Sequence, residues 1–543
     1  MAAAQVREMQ PPESVQPADA PRLARALAQP RAYSPAPAEV VHLETHISHV
    51  FLTGTWAYKI KKPLDLGFLD FSTLEKRHQC CLEELRINRR LAPELYIDVV
   101  PITGSADRPS VEGSGTPIEY AVKMRQFPQE GMLEQVLARG ELTPALIDAI
   151  ADQVAEFHTH LAPAGPDTRF GTPQAVMAPA RQNFEQLANL PEGAVDRTVL
   201  DALREWTETQ HTALESQFRR RKQEGFVREC HGDLHLGNLV LVDGRVRIFD
   251  AIEFNEQLRW IDVISEVAFL GMDLEQRRRG DLAWRFLDAY LQRTGDYDGV
   301  RLLRYYMVYR AVVRAKVAAI RATQSELPAA QRTALAEKCR SHLALAHRFA
   351  AQMRPAMIVH FGLSGSGKTT ASQVILEHLG AVRVRSDVER KRLQGLAATA
   401  RTGAAVGAGI YGADANRATY ARLAAAAEDV VRGGCIALAD ATFLRRADRD
   451  AFRELAAGLG VPFGIAQFTA SPEVLRSRVL HREHESRDAS EAGVDVLEHQ
   501  LRTCEPLSGE ELAVTTTFDT EHMDNEQIRN ESRRMLARLT GNP

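Results

Sequence analysis

The chain has 543 residues, 45% of them apolar and 25% charged, with a formal net charge of −4. That length suggests about three structural units rather than one core, and the ordinary composition excludes a collagen-like, disulfide-scaffolded or wholly disordered chain. No strongly basic footprint for nucleic acid is present, and no run of about 18 apolar residues predicts a membrane-spanning helix.

The first residues lack a charged stretch followed by an apolar one, so no secretory signal is expected. The six cysteines form no C-x-x-C pair, which suits free thiols and a cytoplasmic location. Only ten of the 67 basic residues are Lys, so the places where lysines fall are informative.

Residues 1–38 are rich in Ala, Pro and Gln and read as a mostly disordered leader, with a short helix near Leu23–Ala28. Residues 40–130 read as strands with one helix. Thr53-Gly54-Thr55 joins two apolar runs as a hairpin, and Thr73 to Leu91 has helical spacing with Ser72 or Thr73 as its cap. Ile118 to Met124 is a further strand. Residues 131–225 are predicted mainly helical, 226–250 a strand–loop–strand element, and 262–353 helical again. After Pro355, short apolar runs at 357–361, 382–384, 435–439 and 463–468 alternate with helical segments, which implies a parallel α/β sheet. The expected organisation is a leader over 1–38, a first domain over 39–353 and a second over 354–543.

Gly362-Leu363-Ser364-Gly365-Ser366-Gly367-Lys368-Thr369 matches G-x-x-x-x-G-K-[ST] between a strand and a helix. Glycines let backbone N–H groups turn toward phosphate oxygens, and the helix N-terminus adds positive dipole. Lys368 would reach the β- and γ-phosphates of ATP, and Thr369 would offer its hydroxyl to Mg²⁺. Thr370 belongs with the nucleotide-binding residues. Three features favour a kinase. Asp387, after a strand, could take a proton from an acceptor hydroxyl, with Arg390 holding an acceptor anion. Asp440 ends a strand as a Walker-B-like Mg²⁺ ligand. Arg478 and Arg482 share one face of a helix opened by Ser471-Pro472, with Arg476 and Arg487 close by, as lid arginines would. Each also has a plain reading, as a helix cap, a strand-end Asp or an exposed basic helix. This half, over about 356–510, resembles small P-loop kinases of the gluconate kinase, polynucleotide kinase and zeta-toxin type.

A second constellation is Cys230-His231-Gly232-Asp233-Leu234-His235-Leu236-Gly237-Asn238, followed by a strand ending at Asp250. Protein kinases use a catalytic Asp, an Asn five residues on, and a strand-end Asp for Mg²⁺. Asp233 would orient or deprotonate the acceptor hydroxyl, Asn238 and Asp250 would hold Mg²⁺, and His231 would brace the loop. A metal set of His231, Asp233 and His235 is the alternative, though it leaves Asn238 unexplained.

H-G-D-x-H-x-x-N resembles the aminoglycoside phosphotransferase and choline kinase group over about 40–350. The resemblance implies an α+β protein-kinase-like domain, followed here by an α/β P-loop NTPase domain with a parallel sheet. It also implies a strand Lys on the nucleotide phosphates, paired with a helix Glu. Lys59 fits best, but Lys61 lies on the same strand face. The partner could be Glu75, Glu83 or Glu84, with Glu84 preferred. Tyr120 to Phe127 falls at the adenine hinge, and Asp262 at the buried Asp behind the catalytic loop. The kinase Gly-rich loop is reduced to Gly54. The whole chain resembles bacterial proteins that fuse an aminoglycoside phosphotransferase-like domain to a P-loop ATP-binding domain of the AAA-ATPase type.

The expected function is ATP- and Mg²⁺-dependent phosphoryl transfer to hydroxyl groups of small-molecule acceptors. Two other classes compete: a regulatory P-loop ATPase with a pseudokinase domain, and a polynucleotide 5′-hydroxyl kinase. Intact Asp233, Asn238 and Asp250 speak against the first. The modest charge speaks against broad nucleic-acid binding, while Arg390 and the Arg476–Arg487 cluster leave it open. No membrane partner is expected, and neither acceptor nor oligomeric state is legible.

Overall fold

The computed structural model describes residues 19–45, 47–65, 67, 69–191, 193–323, 327–351, 353–398, 400, 409–485 and 492–541, with backbone alone at 482–485. Its contacts separate the chain into two compact units. The first comprises the chain up to Leu142, Leu161–Gly171 and Gly225–Asp262; the second comprises Thr143–His160, Thr172–Glu224 and the chain from Val263 on.

The first unit is built on a six-stranded antiparallel sheet. Its strands are β1 (Val41–Glu44), β2 (Ser48–Leu52), β3 (Trp56–Lys61), β4 (Tyr96–Ser105), β5 (Arg108–Val111) and β6 (Pro117–Arg125), in the order β1-β2-β3-β6-β4-β5. The predicted turn at Thr53-Gly54-Thr55 joins β2 to β3, closed by the Thr53 N–H on the Trp56 carbonyl at 2.9 Å. Strand period two decides which side chains go where. Tyr58 and Ile60 of β3 face one apolar cluster, while Lys59 and Lys61 face the helix Leu74–Asn88. Thr73 caps that helix by accepting the Lys76 N–H. Cys81 and Leu85 of the helix pack with Tyr96, Val122 and Val240.

Residues 20–33 do not behave as a leader. Ala20–Leu27 is a helix, and Leu23, Leu27, Ala32 and Tyr33 are buried against Phe51, Ile60 and Ile118. The apolar pair at i,i+4 overrides the Ala/Pro/Gln composition because it closes one face of the sheet.

After the sheet, β7 (Val227–Glu229) leads into the loop 230–238, then β8 (Leu239–Val242) and β9 (Arg245–Ile248) form a hairpin, and β10 (Trp260–Asp262) pairs with β7. Arg259 binds Glu229 at 3.0 Å and also Glu83, fastening the helix Leu74–Asn88 to this segment.

The second unit contains the helices Pro144–His160, Pro173–Ala188, Arg197–Ala213, Glu215–Gln223, Val263–Gln276, Gly280–Thr294, Val300–Ala322 and Ala329–Ala351. A five-stranded parallel sheet follows: β11 (Ala356–Phe361), β12 (Ala381–Arg385), β13 (Ile436–Asp440), β14 (Phe463–Thr469) and β15 (Thr515–Asp519), ordered β12-β13-β11-β14-β15. β11 is buried along its whole length, as a central parallel strand should be. The change from helices to alternating strands falls at 351–356. Packing nevertheless runs across that point. Arg383 of β12 pairs with the buried Asp288 at 3.1 Å, Arg285 with Glu377 at 2.7 Å, and Arg301 with Asp429 at 2.5 Å.

Candidate active sites

In the first unit, the loop 230–238 carries Asp233 and Asn238, and the turn after β9 carries Asp250, which meets Lys59 of β3. Lys59 Nζ donates to Glu84 Oε1 at 2.8 Å and also contacts the Asp250 carboxylate. Burial alone would lower the Lys59 pKa; the charges of Asp250 and Glu84 reverse this and hold it well above its usual value. Glu84 is buried too, which would raise its carboxyl, but Lys59 and Lys61 pull it down to about 2. Of the three candidate partners, Glu84 is the one on the lysines. Glu83 is taken by Arg86 and Arg259, and Glu75 accepts from Gln79.

Lys61 forms a second pair of its own. Its ammonium contacts both Glu84 and Glu253, and all three side chains are buried. Glu253 was not foreseen, because only the fold brings it to a strand 192 residues away. Lys61→Met is expected to destabilise the first unit by about 3–5 kcal/mol, since it leaves Glu253 buried without its cation. Calorimetry of the full chain should show one transition falling by roughly 10 °C. Adding Glu253→Leu should return most of the loss, and an unmoved transition would refute the cost assigned to this pair.

Asn238 Nδ2 donates to the Asp233 carbonyl at 2.9 Å and to Asp233 Oδ2 at 3.0 Å. His235 Nδ1 accepts the Gly237 N–H at 3.0 Å, which assigns its proton to Nε2, 3.2 Å from Asp233 Oδ2. His231 braces the loop: Nε2 donates to the Phe249 carbonyl at 2.8 Å and Nδ1 accepts the Asp233 N–H at 3.2 Å. With both nitrogens held by backbone, the alternative metal set lacks its first ligand. Gly232 has φ +88°, and a Cβ there would lie 2.8 Å from the Leu258 carbonyl oxygen. Asp250 is itself left-handed at φ 63°, an uncommon conformation for a residue other than glycine. Its N–H donates to Tyr96 Oη at 3.1 Å, and the next N–H donates to Asn88 Oδ1 at 2.9 Å. Asn88 thus ties the helix of Glu84 to the Asp250 turn. Phe127 meets Phe249 edge-on at 5.2 Å, and Tyr120, Met124 and Phe127 form an apolar wall at the expected hinge. Asp262 is buried at the end of β10.

In this unit the carboxylates of Asp250 and Asp233 and the amide oxygen of Asn238 are hard oxygen donors suited to Mg²⁺. Asp250 is paired with the Lys59 ammonium, which a metal ion on that carboxylate would displace.

In the second unit, the loop 362–367 joins β11 to the helix Lys368–Leu379. Gly365 and Gly367 have φ +82° and +73°, and a Cβ on Gly365 would sit 2.7 Å from the Leu475 carbonyl oxygen. Lys368 Nζ donates to the Gly362 and Leu363 carbonyls at 2.8 and 2.7 Å. The loop opens on a cavity of about 790 Å³ lined by Ser364, Ser366, Thr369, Thr370, Asp387 and Asp440, among others. Asp440 ends β13 beside the loop. Burial would raise its carboxyl, but the hydrogen bond and charge of His360, with Arg385 and Arg383, hold it well below the usual range. His360 Nδ1 lies 3.1 Å from Asp440 Oδ1. Ionised Asp440 and the Thr369 hydroxyl are again oxygen donors fit for Mg²⁺.

The arginines divide. Arg390 lines the same cavity, donates to Ile410 O at 2.9 Å and Asn416 Oδ1 at 2.7 Å, and lies 5.0 Å over Tyr411. Its buried Nε–H has no partner among the described residues. Arg478, expected over the transferring phosphate, also lines this cavity and donates to Thr520 Oγ1 and O, both at 2.9 Å. Arg476 is held by Glu498 at 2.7 Å. The Arg482 side chain and Arg487 lie outside the described residues. Two loop contacts were missed from sequence. Gln500 Oε1 accepts the Ser364 N–H at 2.8 Å, and Thr520 Oγ1 donates to the Ser366 carbonyl at 2.9 Å. The Thr-rich run that forms β15 was the available signal for Thr520.

Two family models match successive parts of the chain. The model for the Phosphotransferase enzyme family matches residues 68–303, and that for an AAA domain matches residues 357–507. Uncharacterized protein Rv2004c of Mycobacterium tuberculosis is 31% identical over 452 residues, which cover 82% of this chain and 87% of the relative. Uncharacterized protein Mb2027c of Mycobacterium bovis matches to the same extent. Among solved structures, a gluconokinase from Sinorhizobium meliloti is 24% identical and covers 35% of this chain and 96% of its own, with a TM-score of 0.25. A choline/ethanolamine kinase family protein from Mesorhizobium loti is 13% identical and covers 60% of this chain and 99% of its own, with a TM-score of 0.37. Identity of 31% across most of both chains places this protein in the family of the mycobacterial relatives, as an enzyme in which a phosphotransferase domain precedes an AAA-type P-loop domain.

Proposed function

We propose that the chain has two ATP sites, each transferring a γ-phosphoryl group to a hydroxyl of a small-molecule acceptor. The functional modules are 39–353 and 354–543, even though the second unit packs across their border. The observation that carries the reading is the convergence of Lys59, Glu84 and Asp250 in the unit that also holds the Asp233–Asn238 loop.

In the first site Lys59, held by Glu84, would meet the nucleotide phosphates once Asp250 turns to a metal. Mg²⁺ held by Asp250 and Asn238 would neutralise charge on the β- and γ-phosphate oxygens. Asp233, oriented by Asn238 and His235, would take the acceptor's proton as its oxygen attacks the γ-phosphorus. In the second site the loop N–H groups and Lys368 would hold the phosphates, Thr369 and Asp440 the metal, and Asp387 the acceptor proton. The unpartnered Nε–H of Arg390 is a ready donor for an anionic acceptor group.

The test is a screen of a metabolite library for ATP-dependent phosphorylation, run on the parent chain, Lys368→Ala and Asp233→Ala. An acceptor lost with Asp233 but kept without Lys368 belongs to the first site; the reverse pattern belongs to the second. ATP hydrolysis with no phosphorylated product in any arm would favour the regulatory ATPase.

A further inference from the structure

The second unit has another cavity, of about 500 Å³, away from the P-loop. Gly380 before β12 and Ile436 at the start of β13 line it, so it lies at the amino ends of the parallel strands. Nucleotides in such sheets bind at the carboxyl ends, where the P-loop is. The cavity is therefore a separate place on the same sheet. Its remaining wall comes from the helices Val263–Gln276, Gly280–Thr294, Val300–Ala322 and Ala329–Ala351.

The lining has a surplus of positive charge. Five arginines contribute to it: Arg278, Arg304, Arg348, Arg354 and Arg529. Three carboxylates also line it, and each is already engaged. Asp281 accepts from Arg279 at 2.8 and 2.9 Å, and Glu377 pairs with Arg285 at 2.7 Å. Glu275 accepts from Trp284 Nε1 at 3.2 Å and faces Arg348 at 3.6 Å. Among the described residues, the side chains of Arg278, Arg354 and Arg529 have no hydrogen-bond or ion-pair partner. Arg304 is half-buried with only the Ala350 carbonyl, at 3.4 Å, and the Trp206 ring as neighbours for its charge. Burial pushes its guanidinium below the usual arginine value. His378, at the cavity edge, is pushed down by burial and by Arg533 and Arg529, as a group in a positive field would be. Trp284 and Phe349 add flat apolar surface.

Three arginines without acidic partners, lining a concave site with aromatic walls, match the chemistry of phosphate recognition. We propose that this cavity binds a phosphorylated small molecule, with Arg354 and Arg529 as its principal phosphate contacts. The site can also reach the chemistry. The helix Lys368–Leu379 begins at the P-loop lysine and ends in the cavity wall at His378 and Leu379, about 16 Å away along the helix. An occupied cavity would hold the end of the element that carries Lys368 and Thr369.

The experiment uses the full chain carrying Lys368→Ala, without Mg²⁺ and with chelator present. Inorganic pyrophosphate is titrated into it by calorimetry, then adenosine diphosphate in a second arm. One pyrophosphate site is expected, weakened at least tenfold by Arg354→Gln with Arg529→Gln at an unchanged melting temperature. Tighter binding of the nucleotide than of pyrophosphate, lost in the same variant, would add the aromatic wall to the site. Should the double variant melt early, Arg278→Gln alone is read in its place and should also weaken binding; all three side chains are exposed. No binding of pyrophosphate, or binding as tight in the arginine variants as in their parent, overturns the proposal.

Discussion

Asp233→Ala is expected to slow phosphoryl transfer at the first site by roughly 10²–10⁴-fold, the usual worth of a general base, while ATP affinity changes little. Asp250→Ala is expected to weaken Mg·ATP binding as well, because Asp250 would ligate the metal directly. Neither change should unfold the site. Without the Asp233 carboxylate, Asn238 keeps its 2.9 Å bond to the main-chain carbonyl of residue 233, which fixes the loop independently of the side chain. Without Asp250, Lys59 keeps Glu84 at 2.8 Å. The measurement needs Lys368→Ala in every sample to silence turnover at the P-loop, and either an acceptor from the screen or slow transfer to water. Equal rates for Asp233→Ala and its parent would leave this domain a nucleotide-binding relic. The regulatory reading would then take precedence.

The candidate residues of the first site were legible because they sit in one loop and one following turn. Asp233, Asn238 and Asp250 keep a fixed chain spacing that no packing decision can change. The lysines were less legible for a physical reason. Residues i and i+2 of a strand share a face, so sequence alone placed Lys59 and Lys61 together without separating them. In the structure Glu84 serves both, and what distinguishes them is the second carboxylate: Asp250 for Lys59, Glu253 for Lys61. Choosing Glu84 over Glu83 depended on Arg259, which arrives from far along the chain to claim Glu83. At residues 20–33 the short helix was legible but its packing was not, since the value of the i,i+4 pair Leu23 and Leu27 appears only once a sheet face needs covering. In the second site the P-loop was fully legible, since its function depends on a contiguous backbone. Arg478 shows the limit. Helical spacing placed it near the loop, and it lines the P-loop cavity, but its bonds to Thr520 Oγ1 and O are a tertiary fact.

Lys368→Ala, placed in a chain that also carries Asp250→Ala, is expected to remove most ATP binding that remains at the P-loop. A hydrogen bond from a charged donor is worth about 1.5–3 kcal/mol, so the loss should be at least roughly 10-fold. It should approach 100-fold if the ammonium bridges two phosphates. The apo arrangement sharpens the expectation. Lys368 now donates to the Gly362 and Leu363 carbonyls, the strand-side arm of the same loop, so its ammonium lies within the cradle it would serve. Removing it takes away both a ligand contact and the donor to those two carbonyls. Lys368→Arg should not rescue binding fully, because a planar fork does not replace a compact ammonium inside a tight turn. Melting of the variant should stay close to its parent, since the side chain is only half-buried and the turn is set by Gly365 and Gly367. ATP affinity unchanged by Lys368→Ala in this background would mean that the loop, for all its match to the motif, is not where the second nucleotide binds.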